Sequence, residues 1–319
     1  MDFPMINGQH LLKLAAAGLM LWSAATSAAP FAYVPNEGSG TVSVIDTASD
    51  DVVATIPAGK KPRGLAISGD WLYVSDQPNN RLQMIDLKKR EAGPTIPLGE
   101  SPEGVYASPE GRWIAAAIEE SNDVAITDTQ SQKVAFTIKV KGRNPEHAVF
   151  SPDGKKLYVS AEEGEAVDII DFTTHEQVAQ VPVGARPRGI GFLPDGSRAY
   201  VATENSNEVY VIDTATSKLI THIKAGQRSN GITVHPDGSR VYVSNGGEAS
   251  VSVIDTADNK IIATVAVGQR PWNMAITPDG KKLYVANGRS NSVSVIDTAQ
   301  NTRLRDISVG KLPWGVVIK

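Results

Sequence analysis

Cysteine is absent from this 319-residue sequence, and its absence excludes several kinds of chemistry at once. A chain without thiols forms no disulfide, offers no thiolate to a metal, attaches no haem through thioethers, carries no lipid on a cysteine and has no cysteine nucleophile. A protein that works outside the cytoplasm without disulfides can still be stable if a large closed fold buries enough apolar surface.

Histidine is scarce, and the four histidines beyond the N-terminal segment show no metal-ligand spacing. They are His147, His175, His222 and His235. The sequence also lacks a nucleophile elbow, a glycine-rich phosphate loop and a metalloprotease helix. We therefore predict no cofactor and no resident metal. The one pair that we nominate for acid–base chemistry is Glu146 with His147.

A basic excess is lacking as well. Lysine and arginine number 31 against 35 acidic residues, which gives a formal charge of −4. Asp2 and Lys13 cancel in the N-terminal segment, so the rest of the chain keeps that charge. Mild acidity argues against a general nucleic-acid binder, which is usually basic. It leaves open a local basic patch.

The one long apolar run lies near the N-terminus. Lys13 precedes an apolar stretch over 14–22, and small residues follow. This run is shorter than the ~20 residues that span a bilayer, so it indicates a secretory signal peptide and not a membrane anchor. Cleavage fits best after Ala28. We predict a signal peptide over 1–28, one domain over 29–319, a periplasmic or secreted location and no membrane insertion after cleavage.

The remainder of the chain is a seven-fold repeat. The tripeptide Ile-Asp-Thr, or a close variant, recurs at spacings of 40, 42, 43, 42, 42 and 42 residues. Its aspartates are Asp46, Asp86, Asp128, Asp171, Asp213, Asp255 and Asp297. A fixed period in this range is typical of solenoids, propellers and arrays, because such a small unit buries its apolar face only by stacking on its neighbours.

One repeat contains four short strands. In the sixth repeat, runs rich in β-branched residues cover 241–245, 250–255, 261–267 and 273–277. Pro278-Asp279-Gly280 predicts a tight turn with a positive φ at the glycine. The aspartate of Ile-Asp-Thr is predicted to close a side-chain-to-backbone turn. Four strands in ~40 residues predict the blade of a β-propeller and disfavour an open β-solenoid.

The two ends of the chain predict a closed ring. The segment 31–34 reads as a second strand of a blade, whereas 315–319 reads as a first strand. If the two segments share one blade, the ring closes and no sheet edge stays open at the seam. We therefore predict an all-β, seven-bladed propeller of four-stranded antiparallel blades, closed by pairing of the terminal strands.

The heads of the blades carry a recognisable motif. They read Tyr33-Val34, Tyr73-Val74, Tyr158-Val159, Tyr200-Val201, Tyr242-Val243 and Tyr284-Val285. Only the third blade departs, with Ala116-Ala117. The chain thus resembles proteins built from YVTN-family repeats. A narrower resemblance is carried by Lys61-Pro62-Arg63-Gly64, Ser101-Pro102-Glu103-Gly104, Arg186-Pro187-Arg188-Gly189 and Pro313-Trp314-Gly315. These residues resemble secreted seven-repeat propellers found beside quinoprotein alcohol oxidation that uses pyrroloquinoline quinone, which would imply an accessory role.

The loops that lead into the first strands end in a varied ring of residues. In order they are Arg63, Glu103, Glu146, Arg188, Asn230, Trp272 and Trp314. Loops over a rigid scaffold are where propellers place their ligand sites, so we predict that this ring, with His147, lines the mouth of the central channel. One interpretation is a mostly cationic mouth in which Arg63 and Arg188 bind a small anionic ligand and the tryptophans stack on it. The other is that arginines and glutamates pair mutually while the tryptophans plug the channel.

Loops between second and third strands add acidic residues on the same face. Glu119, Glu162 and Glu204 could together hold a divalent cation, or they could simply be solvated, which we favour.

Three functions follow from these observations. We favour a binding or interaction module with an unidentified protein partner or a small anionic ligand. The first alternative is a lactonase-like hydrolase that uses Glu146 and His147 at the channel mouth. The second is a single-stranded nucleic-acid binder in which Trp272 and Trp314 stack on bases.

Overall fold

The computed structural model describes Met1, Asp2 and residues 30–319. The predicted cleavage site after Ala28, and all but the first two residues of the predicted signal peptide, lie outside the described residues. Within them, the strands form seven four-stranded antiparallel sheets. The predicted all-β, seven-bladed propeller is thereby confirmed. The one helix found in these parts of the chain is a single 3-10 turn, Gln77–Asn79, and no helix there is long and apolar enough to cross a membrane.

The strands alternate with short turns along the whole chain. In order they are β1 (Phe31–Asn36), β2 (Thr41–Asp46), β3 (Asp51–Pro57), β4 (Pro62–Ser68), β5 (Trp71–Asp76), β6 (Arg81–Asp86), β7 (Glu91–Pro97), β8 (Pro102–Ala107), β9 (Trp113–Ile118), β10 (Asp123–Asp128), β11 (Lys133–Lys139), β12 (Pro145–Phe150), β13 (Lys156–Ala161), β14 (Ala166–Asp171), β15 (Glu176–Pro182), β16 (Pro187–Phe192), β17 (Arg198–Thr203), β18 (Glu208–Asp213), β19 (Lys218–Lys224), β20 (Ser229–Val234), β21 (Arg240–Asn245), β22 (Ser250–Asp255), β23 (Lys260–Ala266), β24 (Pro271–Ile276), β25 (Lys282–Asn287), β26 (Ser292–Asp297), β27 (Thr302–Ser308) and β28 (Val317–Ile318). Blade 1 combines β28 with β1–β3, and each later blade takes the next four strands, up to β24–β27 in blade 7.

The ring closes where the prediction placed the seam. Strand β28 pairs antiparallel with β1, so that Ala32 faces Ile318 and Tyr33 faces Val317. The amide of Phe31 donates to the carbonyl of Lys319 over 2.6 Å, which extends the pairing to the chain end. The predicted pairing of the terminal strands is therefore confirmed, and both ends of the domain stabilise a single blade.

The core lies between neighbouring blades. The five tyrosines that head blades 2 and 4–7 are fully buried, because the second strand of each blade is covered on both faces by adjacent blades. These residues are Tyr73, Tyr158, Tyr200, Tyr242 and Tyr284. At the seam, Ala32 and Val34 of blade 1 pack with Tyr284 and Val295 of blade 7, so the apolar core continues around the ring.

Both kinds of predicted turn are present. The amide of Ala257 donates to Oδ1 of Asp255 over 2.8 Å, and each of the seven repeat aspartates accepts an equivalent bond two or three residues on. Gly280 adopts a φ of +73°, which only glycine accepts without strain. The repeat aspartates are therefore structural residues that fix the turn after each third strand.

Candidate functional site

Each blade places one ring residue at the same end of the central channel. In blades 2–7 the ring residue is the second residue of the first strand, directly after the residue that opens it. All seven predicted ring residues line one cavity of about 300 Å³. The structure thus brings Arg63, Glu103, Glu146, Arg188, Asn230, Trp272 and Trp314 together at the channel mouth.

A second ring surrounds the first. It consists of the residue that directly follows the second strand of each blade, and it reads Glu37, Gln77, Glu119, Glu162, Glu204, Gly246 and Gly288. Glu37 was missed by the sequence reasoning, although it holds the same repeat position as Glu119. Arg186 and Arg270, which precede the first strands of blades 5 and 7, also line the cavity. Each arginine stands one residue before the proline that opens the strand, and this repeated position could have identified both from the sequence.

Arginines and glutamates of the two rings pair with one another. Nη1 of Arg63 lies 2.5 Å from Oε1 of Glu103, and its Nη2 lies 3.2 Å from Glu37. Gln77 donates a further hydrogen bond of 2.7 Å to the same Glu103 oxygen. Burial, reinforced by the nearby charge of Glu146, raises the pKa of Glu103 to about 8 even though Arg63 opposes this shift.

Arg188 is the centre of a larger network. Its guanidinium lies 2.5 Å from Glu146 and 2.9 Å from Glu204, and it also contacts Glu162. The side chain is only 11% exposed, so these pairs are largely shielded from water. Burial and the charge of Glu146 raise the pKa of Glu162 to about 7. Burial works against ionisation of Glu146 too, but Arg188 holds its pKa below the ordinary value.

Glu204 is fully buried beneath four arginines. Its carboxylate lies 3.5, 2.9, 3.1 and 2.8 Å from Arg186, Arg188, Arg228 and Arg270, respectively. Burial would raise its pKa, yet the arginines outweigh burial and lower the pKa to about 2. Glu204 is therefore an anionic anchor for the cationic side chains, which leaves it unsuited to bind a metal ion.

The three acidic candidates for a cation site are engaged in other ways. Glu162 and Glu204 bind arginines, and Glu119 accepts a 2.8 Å hydrogen bond from Ser101. No group of side chains able to hold a metal ion occurs among Met1, Asp2 and residues 30–319. Five glutamate side chains line the mouth beside four arginines, and the raised pKa values of Glu103 and Glu162 leave part of this acid uncharged at neutral pH.

His147, predicted to line the mouth with the ring, is not among the residues that line the cavity. It is fully buried, its Nδ1 lies 2.7 Å from the hydroxyl of Tyr106, and its ring stacks on Trp314. Burial lowers its pKa to about 4, so the imidazole is neutral at neutral pH. The carboxylate of Glu146 meanwhile pairs with Arg188. The hydrogen bonds of the described residues therefore do not join Glu146 and His147 into an acid–base dyad.

Several polar atoms at the mouth keep unused hydrogen-bonding capacity. Nη1 of Arg270, Nε of Arg63 and Oε2 of Glu103 are buried without a partner in the described part of the chain. The side chain of Asn230, which is 5% exposed, lines the same cavity. Buried polar groups are nearly always paired, so these three atoms lack the partners expected of them.

Comparison with known proteins identifies the architecture. A model of the YNCE-like beta-propeller family matches residues 13–319. No protein of curated function matches the chain. Hydrazine synthase of Kuenenia stuttgartiensis is 22% identical over 84% of this chain and 92% of that chain, with a TM-score of 0.77. A Bacteroides uniformis ATCC 8492 protein, provisionally named a 6-phosphogluconolactonase, is 21% identical over 91% and 99%, with a TM-score of 0.77. A functionally unknown protein of Desulfotomaculum acetoxidans DSM 771 is 17% identical over 90% and 98%, with a TM-score of 0.80. At these identities the likenesses show the fold alone.

Proposed function

The chain belongs to the YNCE-like β-propeller family, and we propose that it is a binding module that holds a small anionic ligand at its channel mouth. The cavity there, about 300 Å³, has the size of a site for a small molecule. Every blade contributes a ring residue to it, and the scaffold below is rigid. Such a site can change its ligand by loop substitution without a change of fold.

The observation that carries this proposal is the unused hydrogen-bonding capacity around the cavity. Arg63, Arg270 and Glu103 keep buried polar atoms without partners in the described structure, although all three line the same space. An unsatisfied buried donor or acceptor costs about 1–3 kcal/mol. A ligand that supplies the missing partners would recover that free energy.

Single-stranded nucleic acid is a weaker candidate for this site. Binding a strand needs an extended basic groove with stacking platforms, whereas this cavity is small and carries five carboxylates. Lactone hydrolysis is also not favoured by a specific contact, since Glu146 binds Arg188 and His147 binds Tyr106. Short oligonucleotides and lactones nevertheless belong in a binding screen, because binding of either class would directly support the corresponding alternative function.

We propose in addition that the protein is exported and is accessory to quinoprotein alcohol oxidation. The export proposal rests on the apolar run over 14–22, and mass spectrometry of the protein purified from its host should find Ala29 as the first residue. The accessory role rests on the resemblance of the strand-opening loops. Deletion of the gene should then slow growth on alcohols and leave growth on sugars unchanged.

A matched pair of variants tests the binding site. Asn230→Leu removes the polar groups of a ring residue and keeps a side chain of similar size, so the fold should tolerate it. Asn205→Leu makes the same change at an exposed position on a neighbouring loop outside the cavity. We expect a thermal-shift screen of anionic metabolites, quinone cofactors and oligonucleotides to give ligands that bind the wild type and Asn205→Leu but not Asn230→Leu. If every ligand stabilises the three proteins equally, the mouth is not the binding site.

A further inference from the structure

The two rings at the mouth distribute charge unevenly. Their carboxylates, Glu37, Glu103, Glu119, Glu146, Glu162 and Glu204, all come from blades 1–5. Blades 6 and 7 contribute Asn230 and Trp272 to the inner ring and Gly246 and Gly288 to the outer ring. One sector of the mouth therefore offers an amide and an aromatic face where blades 1 and 3–5 place acids.

The glycines make room for Arg270 and Trp272. A side chain at position 246 would meet Nη1 of Arg270 at 2.9 Å, and one at position 288 would meet the Trp272 ring at 2.7 Å. In blade 6 the outer-ring position holds Gly246 where Glu119, Glu162 and Glu204 stand in other blades. Nη1 of Arg270 therefore has no carboxylate at this position to pair with. Nη2 of this residue donates to Glu204 over 2.8 Å, while Nη1 lies over Gly246 without a partner among the described residues.

The sector is electropositive in spite of its neighbours. Arg186 and Arg188 pair with Glu162 as well as with Glu204, but Arg228 and Arg270 have Glu204 as their only ion-pair partner within 4 Å in the described parts of the chain. The guanidinium of Arg270 also lies 5.9 Å from the ring centroid of Trp272. A guanidinium, an amide and an indole surface thus line one side of the cavity.

From this arrangement we infer that the ligand is a small planar aromatic carboxylate. Its carboxylate accepts hydrogen bonds from the guanidinium of Arg270 and from the amide of Asn230, and its ring lies against Trp272 and Trp314. Charged hydrogen bonds to a carboxylate are stronger than neutral ones, and aromatic rings add stacking to the burial of apolar surface. This inference rests on the proposed function, since it names the ligand class of the same cavity.

The glutamates on the opposite side of the cavity determine the orientation of the ligand. Glu119, which lines the cavity and has no ion-pair partner within 4 Å among the described residues, repels a second negative group, so a monocarboxylate is preferred to a dicarboxylate of the same size. The unpaired Oε2 of Glu103 lies on this side, where a hydroxyl on the far end of the ring could bind it.

The test uses naphthalene-2-carboxylate, its neutral counterpart 2-naphthalenemethanol, and cyclohexanecarboxylate, each titrated calorimetrically into the full-length protein. We expect naphthalene-2-carboxylate to bind at least tenfold more tightly than either of the other two. The alcohol lacks the charge, and cyclohexanecarboxylate lacks the planar ring. Equal affinity for the naphthalene pair would overturn the carboxylate assignment, and equal affinity for the two carboxylates would overturn the aromatic one.

Two arginine variants locate the carboxylate. Arg270→Gln and Arg228→Gln each remove one of the four cations around Glu204, but only Arg270 lines the cavity. Arg270→Gln should weaken naphthalene-2-carboxylate binding at least tenfold and leave the alcohol unaffected, whereas Arg228→Gln should stay within twofold of the wild type. Equal losses in both variants would overturn the inference. If Arg270→Gln does not fold, Asn230→Leu takes its place, with the same tenfold loss expected.

Failure of this inference is distinguishable from failure of the proposed function. If the three probes do not bind but another ligand from the screen does, and Asn230→Leu abolishes that binding, the ligand class is wrong and the binding site stands. If no compound of any class binds the wild type, both are wrong.

Discussion

The imidazole of His147 in blade 4 stacks on the indole of Trp314 in blade 1, with ring centroids 5.8 Å apart and planes 26° from parallel. The contact crosses the channel, because blades 1 and 4 lie on opposite sides of the ring. Trp314 lines both the mouth cavity and the channel cavity of about 390 Å³ beneath it. Trp314 therefore forms the floor of the candidate site, with His147 packed against it.

Removal of this floor should change the titration of His147. Its pKa is about 4 because it is buried, so Trp314→Ala, which lets water reach the ring, should raise the pKa toward the ordinary value of 6.5. NMR titration of the imidazole measures the shift. Trp272→Ala is the control, since His147 stacks on Trp314. An unchanged pKa of His147 in Trp314→Ala would show that other residues exclude water from the imidazole.

Arg188 should be essential for stability. Its loss leaves Glu146, Glu162 and Glu204 without their shared cation, and breaking a buried ion pair costs about 3–5 kcal/mol. Urea unfolding of Arg188→Ala measures the change in free energy. Arg143→Ala is the comparison, because Arg143 is 71% exposed and lies 3.8 Å from its partner Glu163. That variant should change stability by no more than about 1 kcal/mol. Similar values for both would contradict a central role for Arg188.

Stability should fall as the pH rises through the range set by Glu103. Its pKa is about 8 in the folded protein and near the ordinary 4.5 in the unfolded chain, so the folded state binds the extra proton between these values. The resulting stabilisation is complete below pH 4.5 and is lost as the pH rises through 8. Glu103→Gln keeps the acceptor for Gln77 but cannot ionise. The melting temperature of Glu103→Gln should decline less than that of the wild type between pH 5.5 and 8.5. Equal declines in the two proteins would refute the raised pKa of Glu103.

Truncation before Pro313 should destabilise the whole domain. It removes β28, the hydrogen bonds between Phe31 and Lys319, and the buried Val316, so the ring opens at blade 1. Loss of each buried aliphatic side chain costs about 1.5–3 kcal/mol. Calorimetry should show a sharply lower melting temperature. Leu304→Ala, at a 53% exposed position on β27, should leave the melting temperature nearly unchanged. A truncated protein that melts like the wild type would show that closure contributes little.

Calcium should not raise the melting temperature. A bound cation stabilises the folded state by mass action, but Glu162 and Glu204 already pair with arginines. Thermal unfolding with and without millimolar calcium gives the comparison. A rise that disappears in Glu162→Gln would reveal a cation site at this mouth.

The fold was predictable because it depends on local and repeated features. Alternating β-branched runs, Pro-Asp-Gly turns and a constant period specify four strands per blade, and the unequal strand types at the two ends specify closure. Repetition also placed the ring residues correctly. Arg63 and Trp314 occupy equivalent positions in units related by rotation, so they had to reach the same end of the channel.

The pairing of these side chains could not be read from the repeats. Sequence order puts Arg188 and Glu204 in one blade but says nothing of Arg270, which reaches the same carboxylate from blade 7. The contact between His147 and Trp314 depends on the width of the channel and on the rotamers of both rings.

The sequence by itself therefore determined the blades, their number, the closure and the residues that face the mouth, since each follows from strand period and rotational equivalence. Only the tertiary structure decided which charges neutralise one another and which donors stay free. Those outcomes depend on distances between side chains from different blades, and a difference of a few ångströms decides whether an arginine meets a glutamate or, like Nη1 of Arg270, remains without a partner in the described structure.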